Sequence, residues 1–352
     1  MTDVSGVAPK GIDFARLLPW FRERVAPVER LDAEVIGHGR SNITYRLSAG
    51  DQSWVLRRPP LSHVMPTAHD MKREFRVISA LAPTRVPVPA AIALCEDVSV
   101  NDAPFYIMEY VEGLVPTDAA VVASRYDAAT QRRMGEELVD TLVLLHALDP
   151  ASVGLADFGK PQGFIERQVR RFTGQIEQHR TREVPELEEL ARRLNAWIPP
   201  ESGAAIVHGD YRLDNCVIGD DGHIAAVLDW EMATLGDPLA DVGMQYMYWA
   251  PGEDPGTAQG ISGAVTALPG FLKREAAIAR YAAKSGRDLT NLDFYIVLAY
   301  FKLAVIVEGI YARFLEGGTV GTGFEATGAQ AQGLARSGLA VADESTMPSL
   351  RG

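Results

Sequence analysis

At 352 residues, 47% of them hydrophobic, the chain can bury a large core, and its length suits two domains or one two-lobed unit. Its 34 basic against 46 acidic residues give a net charge of −12, which argues against a general nucleic-acid binder. Only two cysteines, Cys95 and Cys216, are present, which excludes a disulfide framework and points to a reducing, cytoplasmic setting.

The opening "MTDVSGVAPKGIDFARLLPWF" has neither the basic start nor the unbroken apolar run of a signal peptide, and residues 13–25 predict a short amphipathic helix. From Leu31 the runs "LDAEVIG", "ITYRLSAG" and "SWVLRRPP" read as three strands separated by turns. "AHDMKREFRVISALA" has helical spacing and stops at Pro83, after which "AAIALCED" and "PFYIMEYV" read as two more strands. That pattern ends at Gly113, which sets the expected boundaries at residues 1–113 and 114–345.

Beyond Gly113 the chain reads mainly as helix. "DAATQRRMGEELVDTLVLLHALD" is long and amphipathic, and "FIERQVRRFTGQIEQHR" is basic. "HGDYRLDNCVIGDDGHIAAVLDW" interrupts this half, with "AAIV" before it and "IAAVL" within it as short buried strands. "LGDPLADVGMQYMYWA" returns to helix, with Asp237 suited to the N-cap and Pro238 to the first turn. Residues 250–270, rich in Gly and Pro, predict a long mobile loop, and residues 346–352 a disordered tail. "FYIVLAYFKLAVIVEGIYARF" is apolar enough to suggest a membrane span, but Lys302 and Glu308 interrupt it, so a buried helix is expected and no membrane partner.

Several residues are placed where chemistry would need them. "GHGRSN", from Gly37 to Asn42, joins the first two strands. Gly37 and Gly39 would let the backbone approach phosphates, and Ser41 can donate a hydrogen bond, although the third glycine of G-x-G-x-x-G is replaced by Asn42. Strand alternation puts Arg57 on the face of Val55, under that loop. Glu74 falls on one helical stripe with Val77, Ile78 and Leu81, where a carboxylate wants a cation, and Arg57 is the natural partner. Asp210 and Asn215 have the Asp-x-x-x-x-Asn spacing of a kinase catalytic loop, with Asp229 after the next strand. In that arrangement the first aspartate takes the proton of the attacking hydroxyl, while Asn215 and Asp229 bind magnesium across the ATP phosphates. His208 is read as loop support, His146 as a satisfied core histidine, Cys216 as a small buried residue and Asp241 as a brace for the loop backbone. Tyr248 and Trp249 fit either core or an acceptor pocket.

"IVHGDYRLDNCVI" followed by "VLDWEMATLGDPLADVG" closely resembles the aminoglycoside phosphotransferase and choline kinase family. "SNITYRL", "VLRRPP", "HDMKREFRVISAL", "APFYIMEYVEG" and "FKLAVIVEGIYARF" look most like the kinase-like domains associated with acyl-CoA dehydrogenases. The resemblance implies an α+β class and a bilobal protein-kinase-like fold, with a small β-rich N-lobe and a larger, mainly helical C-lobe. It also implies ATP in the cleft, Mg2+, and a hinge from Met108 through Glu109 to Val111 meeting adenine. Arg57 stands where many relatives have lysine, and "DWE" replaces the Asp-Phe-Gly of protein kinases. Glycine replaces the arginine of His-Arg-Asp, and no Ala-Pro-Glu segment follows, so a protein substrate is not expected.

The expectation is therefore an ATP- and magnesium-dependent phosphotransferase acting on a hydroxyl of a small molecule. An anionic hydroxyacyl-CoA would want arginines, and a cationic aminoglycoside or amino alcohol would want carboxylates. Residues 160–182 carry Lys160, Arg167, Arg170, Arg171, Arg180 and Arg182 against Glu166 and Glu177. That excess favours the anionic acceptor, with Arg167, Arg170 and Arg171 as its contacts and a functional link to an acyl-CoA dehydrogenase, although a solvated helix face would look the same. A non-catalytic nucleotide-binding module ranks lower because Asp210 and Asp229 are both present.

Overall fold

The computed structural model describes residues 9–36, 42–61, 70–178, 180–249, 264–317 and 323–352. The chain divides into two compact units, one from the chain up to Gly113 with Ala225–Ala233, the other from Leu114–Ile224 with Thr234–Gly352. The short segment carrying Asp229 thus belongs to the first unit, although sequence order embeds it in the helical half.

In the first unit, helix α1 (Phe14–Arg24) is capped by Asp13 and buries Leu17 and Phe21. Strands β1 (Asp32–Ile36), β2 (Ile43–Ala49), β3 (Gln52–Arg58), β4 (Ala91–Cys95) and β5 (Phe105–Glu109) form one sheet in the order β1-β2-β3-β5-β4, every pair antiparallel. Alternation sorts its faces. Tyr45, Leu47, Trp54, Leu56, Phe105 and Ile107 join Leu17 and Phe21 in one apolar cluster, each large side chain contributing about 1.5–3 kcal/mol through burial. Arg57 pairs across the ladder with Tyr106, and Val55 with Met108, on the other face. Helix α2 (Met71–Leu81), capped by Asp70, has Met71, Glu74, Val77, Ile78 and Leu81 as its buried residues. A short helix α3 (Val98–Asn101) separates β4 from β5.

The second unit has helices α4 (Ala119–Arg125), α5 (Ala128–Ala147), α6 (Phe164–Gln178), α7 (Pro185–Ala196), α8 (Leu239–Tyr248), α9 (Arg274–Ser285), α10 (Leu292–Leu315) and α11 (Thr327–Glu344). By length and composition α10 could cross a membrane, yet 78% of its most apolar window is buried within the protein. Helices α6, α7, α8 and α11 pack on it. A Cβ on Gly243 of α8 would meet the Tyr295 carbonyl oxygen at 2.5 Å, so that close approach requires glycine. Glu308 is answered by a bidentate pair from Arg182 at 2.8 and 2.7 Å.

Sequence reading anticipated two short strands in this half. Among the described residues there are four, β6 (Ala205–Val207), β7 (Cys216–Ile218), β8 (Ile224–Val227) and β9 (Thr234–Gly236), with β8 running into the segment that belongs to the first unit. β6 pairs with β9 antiparallel. Asp237 accepts from the Leu239 N–H at 3.0 Å, but the N-cap position of α8 belongs to Pro238. Of the expected loop at 250–270, residues 250–263 lie outside the described residues, while Val265–Ala267 form a 3-10 turn with Val265 buried. The expected disorder of residues 346–352 is not observed. Leu350 is fully buried and Met347 nearly so, Arg193 donates to the Leu350 carbonyl at 2.9 Å, and Arg351 donates to the Ser345 carbonyl at 2.5 Å.

Candidate active site

In the first unit a cationic hub forms on the α2 face of the sheet. Arg57 on β3 has its side chain 11% exposed against 2% for Glu74, and its Nε lies 3.0 Å from the Glu74 carboxylate. Its Nη2 also bonds the Asp229 carboxylate and lies 3.6 Å from Glu231. Asn42 donates to Glu231 at 2.9 Å. Burial works against the charged guanidinium, but Glu74 and then Asp229 outweigh it, so Arg57 is held charged. Burial pushes the Glu74 carboxyl up, with Arg57 opposing.

Asp229 has left-handed backbone, φ 64° and ψ 58°, just before the 3-10 turn Trp230–Met232. Aspartate tolerates this conformation better than most residues, yet it still carries a cost of about 1–3 kcal/mol. Trp230, fully buried and donating to the Val227 carbonyl at 2.9 Å, fastens the turn. Strain kept in place by a buried anchor is what a functional carboxylate at this position would need.

The expected hinge residues lie at the end of β5. Met108 is buried, while Glu109 bonds Ala90 twice: its N–H donates to the Ala90 carbonyl at 2.9 Å and its carboxylate accepts from the Ala90 N–H at 3.1 Å. Val111 follows, half-buried. Gly37, Gly39 and Ser41 lie outside the described residues.

In the second unit the loop after β6 carries Asp210. Asp241, fully buried on α8, accepts from the backbone N–H of His208 at 2.6 Å and of Gly209 at 2.8 Å. Behind it His146, also buried, contacts Asp241 at 3.2 Å and the Tyr281 hydroxyl at 2.8 Å. Burial disfavours the Asp241 anion, but His146 and the loop amides overcome it, and its carboxyl stays below the usual range. Asn215 closes the 3-10 turn Leu213–Asn215, and its amide nitrogen donates to the Asp210 carbonyl at 2.8 Å and carboxylate at 3.2 Å. Its amide oxygen is thereby turned away from Asp210.

Arg212 carries no pattern in the sequence that marks it, while the places of Tyr248 and Lys302 beside this loop emerge only from the structure. Arg212 lies 3.3 Å from the Asp210 carboxylate and 2.8 Å from Asp214, with its guanidinium 4.9 Å from the Tyr248 ring centre. Tyr248 stays a neutral phenol, first through burial and then through the Asp210 charge. Lys302 of α10 donates to the Gly209 carbonyl at 2.7 Å. Its signal in the sequence was a charge inside an apolar helix. Trp249 is core, donating to the Leu272 carbonyl at 2.8 Å. Cys216 is fully buried, and burial pushes its thiol far up, which excludes an easily formed thiolate.

The three arginines of α6 separate. Arg167 turns back to the carbonyls of Gln162, at 2.5 Å, and Lys160, so its fork is engaged in holding the preceding loop. Arg170 and Arg171 are exposed.

Among the described residues no cluster of three or more His, Cys, Asp or Glu forms a ready metal site. Asp229 in the first unit and Asn215 in the second each offer a hard oxygen donor of the kind magnesium takes.

The small antiparallel sheet of the first unit and the helices of the second are the parts of the protein-kinase-like fold. The phosphotransferase enzyme family model matches residues 32–281, and the chain belongs to that family. A solved structure from Ralstonia eutropha JMP134, provisionally named an aminoglycoside phosphotransferase, is 34% identical with a TM-score of 0.80 over 95% of this chain and 99% of that one. An aminoglycoside phosphotransferase APH(4)-Ia complex with AMP-PNP and hygromycin B shares the fold at 15% identity and a TM-score of 0.62, covering 96% of this chain and 100% of that one. Among curated relatives, acyl-CoA dehydrogenase family member 11 of Gallus gallus is 32% identical over 96% of this chain, and member 10 of Mus musculus 34% over 83%. This chain matches only 43% and 27% of their lengths, respectively.

Proposed function

We propose that the chain transfers the γ-phosphoryl group of ATP to a hydroxyl of a hydroxyacyl-CoA, with Asp210 as the base. The observation that carries the transfer chemistry is the fixation of Asp210, whose loop amides, carbonyl and carboxylate are bonded by Asp241, Lys302 and Asn215. Asp210 takes the acceptor's hydroxyl proton as the acceptor oxygen bonds to the γ-phosphorus and the bond to the β,γ-bridging oxygen breaks, releasing ADP. Asn215 and Asp229 would hold magnesium, which supplies charge neutralisation of the phosphates. Arg57 is the candidate cation for phosphate oxygens, and Met108, Glu109 and Val111 the candidate adenine contacts, with Gly37, Gly39, Ser41 and Asn42 as the phosphate loop.

The acceptor class rests on two supports: the acyl-CoA dehydrogenase names of the curated relatives, and the exposed Arg170 and Arg171 in an acidic chain. A functional link to an acyl-CoA dehydrogenase belongs to the same proposal. The second reading, an aminoglycoside or amino-alcohol acceptor, draws on the name of the Ralstonia relative. Charge reversal separates them. Arg170→Glu with Arg171→Glu should raise the KM for a hydroxyacyl-CoA several-fold and leave the KM for ATP unchanged, with the effect shrinking as salt rises. A cationic acceptor predicts a lowered KM instead. One coupled ADP assay over hydroxyacyl-CoA, kanamycin-like and choline-like acceptors reads both.

Asp229→Ala should fail differently from Asp210 variants. It removes the one carboxylate assigned to magnesium, so magnesium-dependent ATP binding should weaken along with turnover. Nucleotide titrations with and without magnesium check this, and equal metal dependence in wild type and variant would make Asp229 merely structural.

A further inference from the structure

Helix α10 buries nearly every side chain along its middle, and two charges interrupt it there, Lys302 and Glu308. Glu308 is matched by Arg182. Lys302 is half-buried, and among the described residues its hydrogen bond is to the Gly209 carbonyl, at 2.7 Å. The N–H of that same residue is bonded by Asp241 at 2.8 Å. Gly209 is therefore gripped on both sides by opposite charges from α8 and α10, two helices that pack together. Its φ of 85° makes glycine the residue suited to this turn, and Asp210 follows directly. A carbonyl fixed by an ammonium sets the peptide plane from which the Asp210 side chain departs.

The groups facing Lys302 fit this arrangement. Burial pushes the ammonium down, and Arg171 adds to that, while Asp210 and Asp241 pull the other way. A cation kept here against its desolvation cost, when methionine would fill the same volume, needs a function.

We propose that Lys302 is a positioning residue for phosphoryl transfer, fixing the Gly209 carbonyl so that Asp210 meets the acceptor hydroxyl in productive geometry. This rests on Asp210 being the base. Lys302→Met keeps the stem and removes the charge and donors, whereas Lys302→Arg keeps both. Each is measured for kcat and for the KM of MgATP with a hydroxyacyl-CoA as acceptor, alone and combined with Asp210→Asn.

Lys302→Met should lower kcat by about 10- to 100-fold, the scale of lost positioning, with the ATP KM nearly unchanged. Lys302→Arg should recover most of it. In the Asp210→Asn background, Lys302→Met should cause no further fall, because the group it positions is already gone. An equal fall in both backgrounds would mean general structural damage and overturn the proposal, as would a Lys302→Met kcat equal to wild type. Retention of full kcat by Asp210→Asn alone would instead remove the base assignment, so the two failures are distinguishable.

Discussion

Asp210→Asn should reduce kcat by roughly 10²-fold or more while leaving the KM for ATP within about twofold, the pattern of a lost acid–base group that does not bind nucleotide. The substitution is nearly isosteric, and the surrounding loop has its own supports: Asp241 bonds two backbone amides and Lys302 a carbonyl. The fold should therefore survive, with a melting temperature close to wild type. Asn215 would still donate to the residue-210 carbonyl, at 2.8 Å in the native chain. Turnover near the wild-type value in a normally folded Asp210→Asn protein would refute the assignment.

Arg57→Met should have the largest effect on stability. It leaves Glu74, with a side chain only 2% exposed, without its cation, and it frees Asp229 and Glu231 to repel one another across the vacated position. Breaking a buried pair by removing one partner costs about 3–5 kcal/mol. Burial raises the Glu74 carboxyl in the native protein, and Arg57 is the principal influence holding it down. Without Arg57 the folded-state value moves further above the unfolded one, so the penalty is absent below the unfolded value and complete above the folded one. The variant should consequently be less destabilised at about pH 5 than at about pH 8. Arg57→Met combined with Glu74→Leu should recover most of the loss, since an apolar pair of similar volume avoids the stranded charge. Denaturant unfolding of wild type, single and double variants at the two pH values checks all three expectations. A double variant no more stable than Arg57→Met would show that Asp229 and Glu231, not Glu74, are what Arg57 stabilises.

The Arg57–Glu74 pair was legible because two periodicities intersect there, strand alternation on β3 and a helical stripe on α2. Asp210 and Asn215 were legible from spacing, because a short loop between strands limits how far apart they can be. Asp229 was recognisable as a residue, but not as a member of the first unit, since sequence adjacency to Thr234 says nothing about which core Trp230 enters. Lys302 showed itself as a misplaced charge, and only its partner was hidden, because Gly209 lies 93 residues away and contributes a backbone atom that no pattern marks. Arg167 could not be told from Arg170 or Arg171 by helical spacing, since turning back onto loop carbonyls depends on where the preceding residues lead. The contacts of the tail were hidden in the same way as that of Lys302. Leu350 is buried, and Arg193, which donates to its carbonyl, lies 157 residues away, a partner that no local pattern marks.

Movement of a phosphoryl group from ATP to a small hydroxyl, with Asp210 as base, can be read from its products. Incubating the purified protein with MgATP and a pool of hydroxyacyl-CoA, aminoglycoside and amino-alcohol acceptors, then reading acceptor masses, tests it most directly. One acceptor class should gain a single phosphoryl group, with stoichiometric ADP, in wild type and far more slowly in Asp210→Asn. ADP formation with no phosphorylated acceptor, or equal product from both proteins, would contradict it.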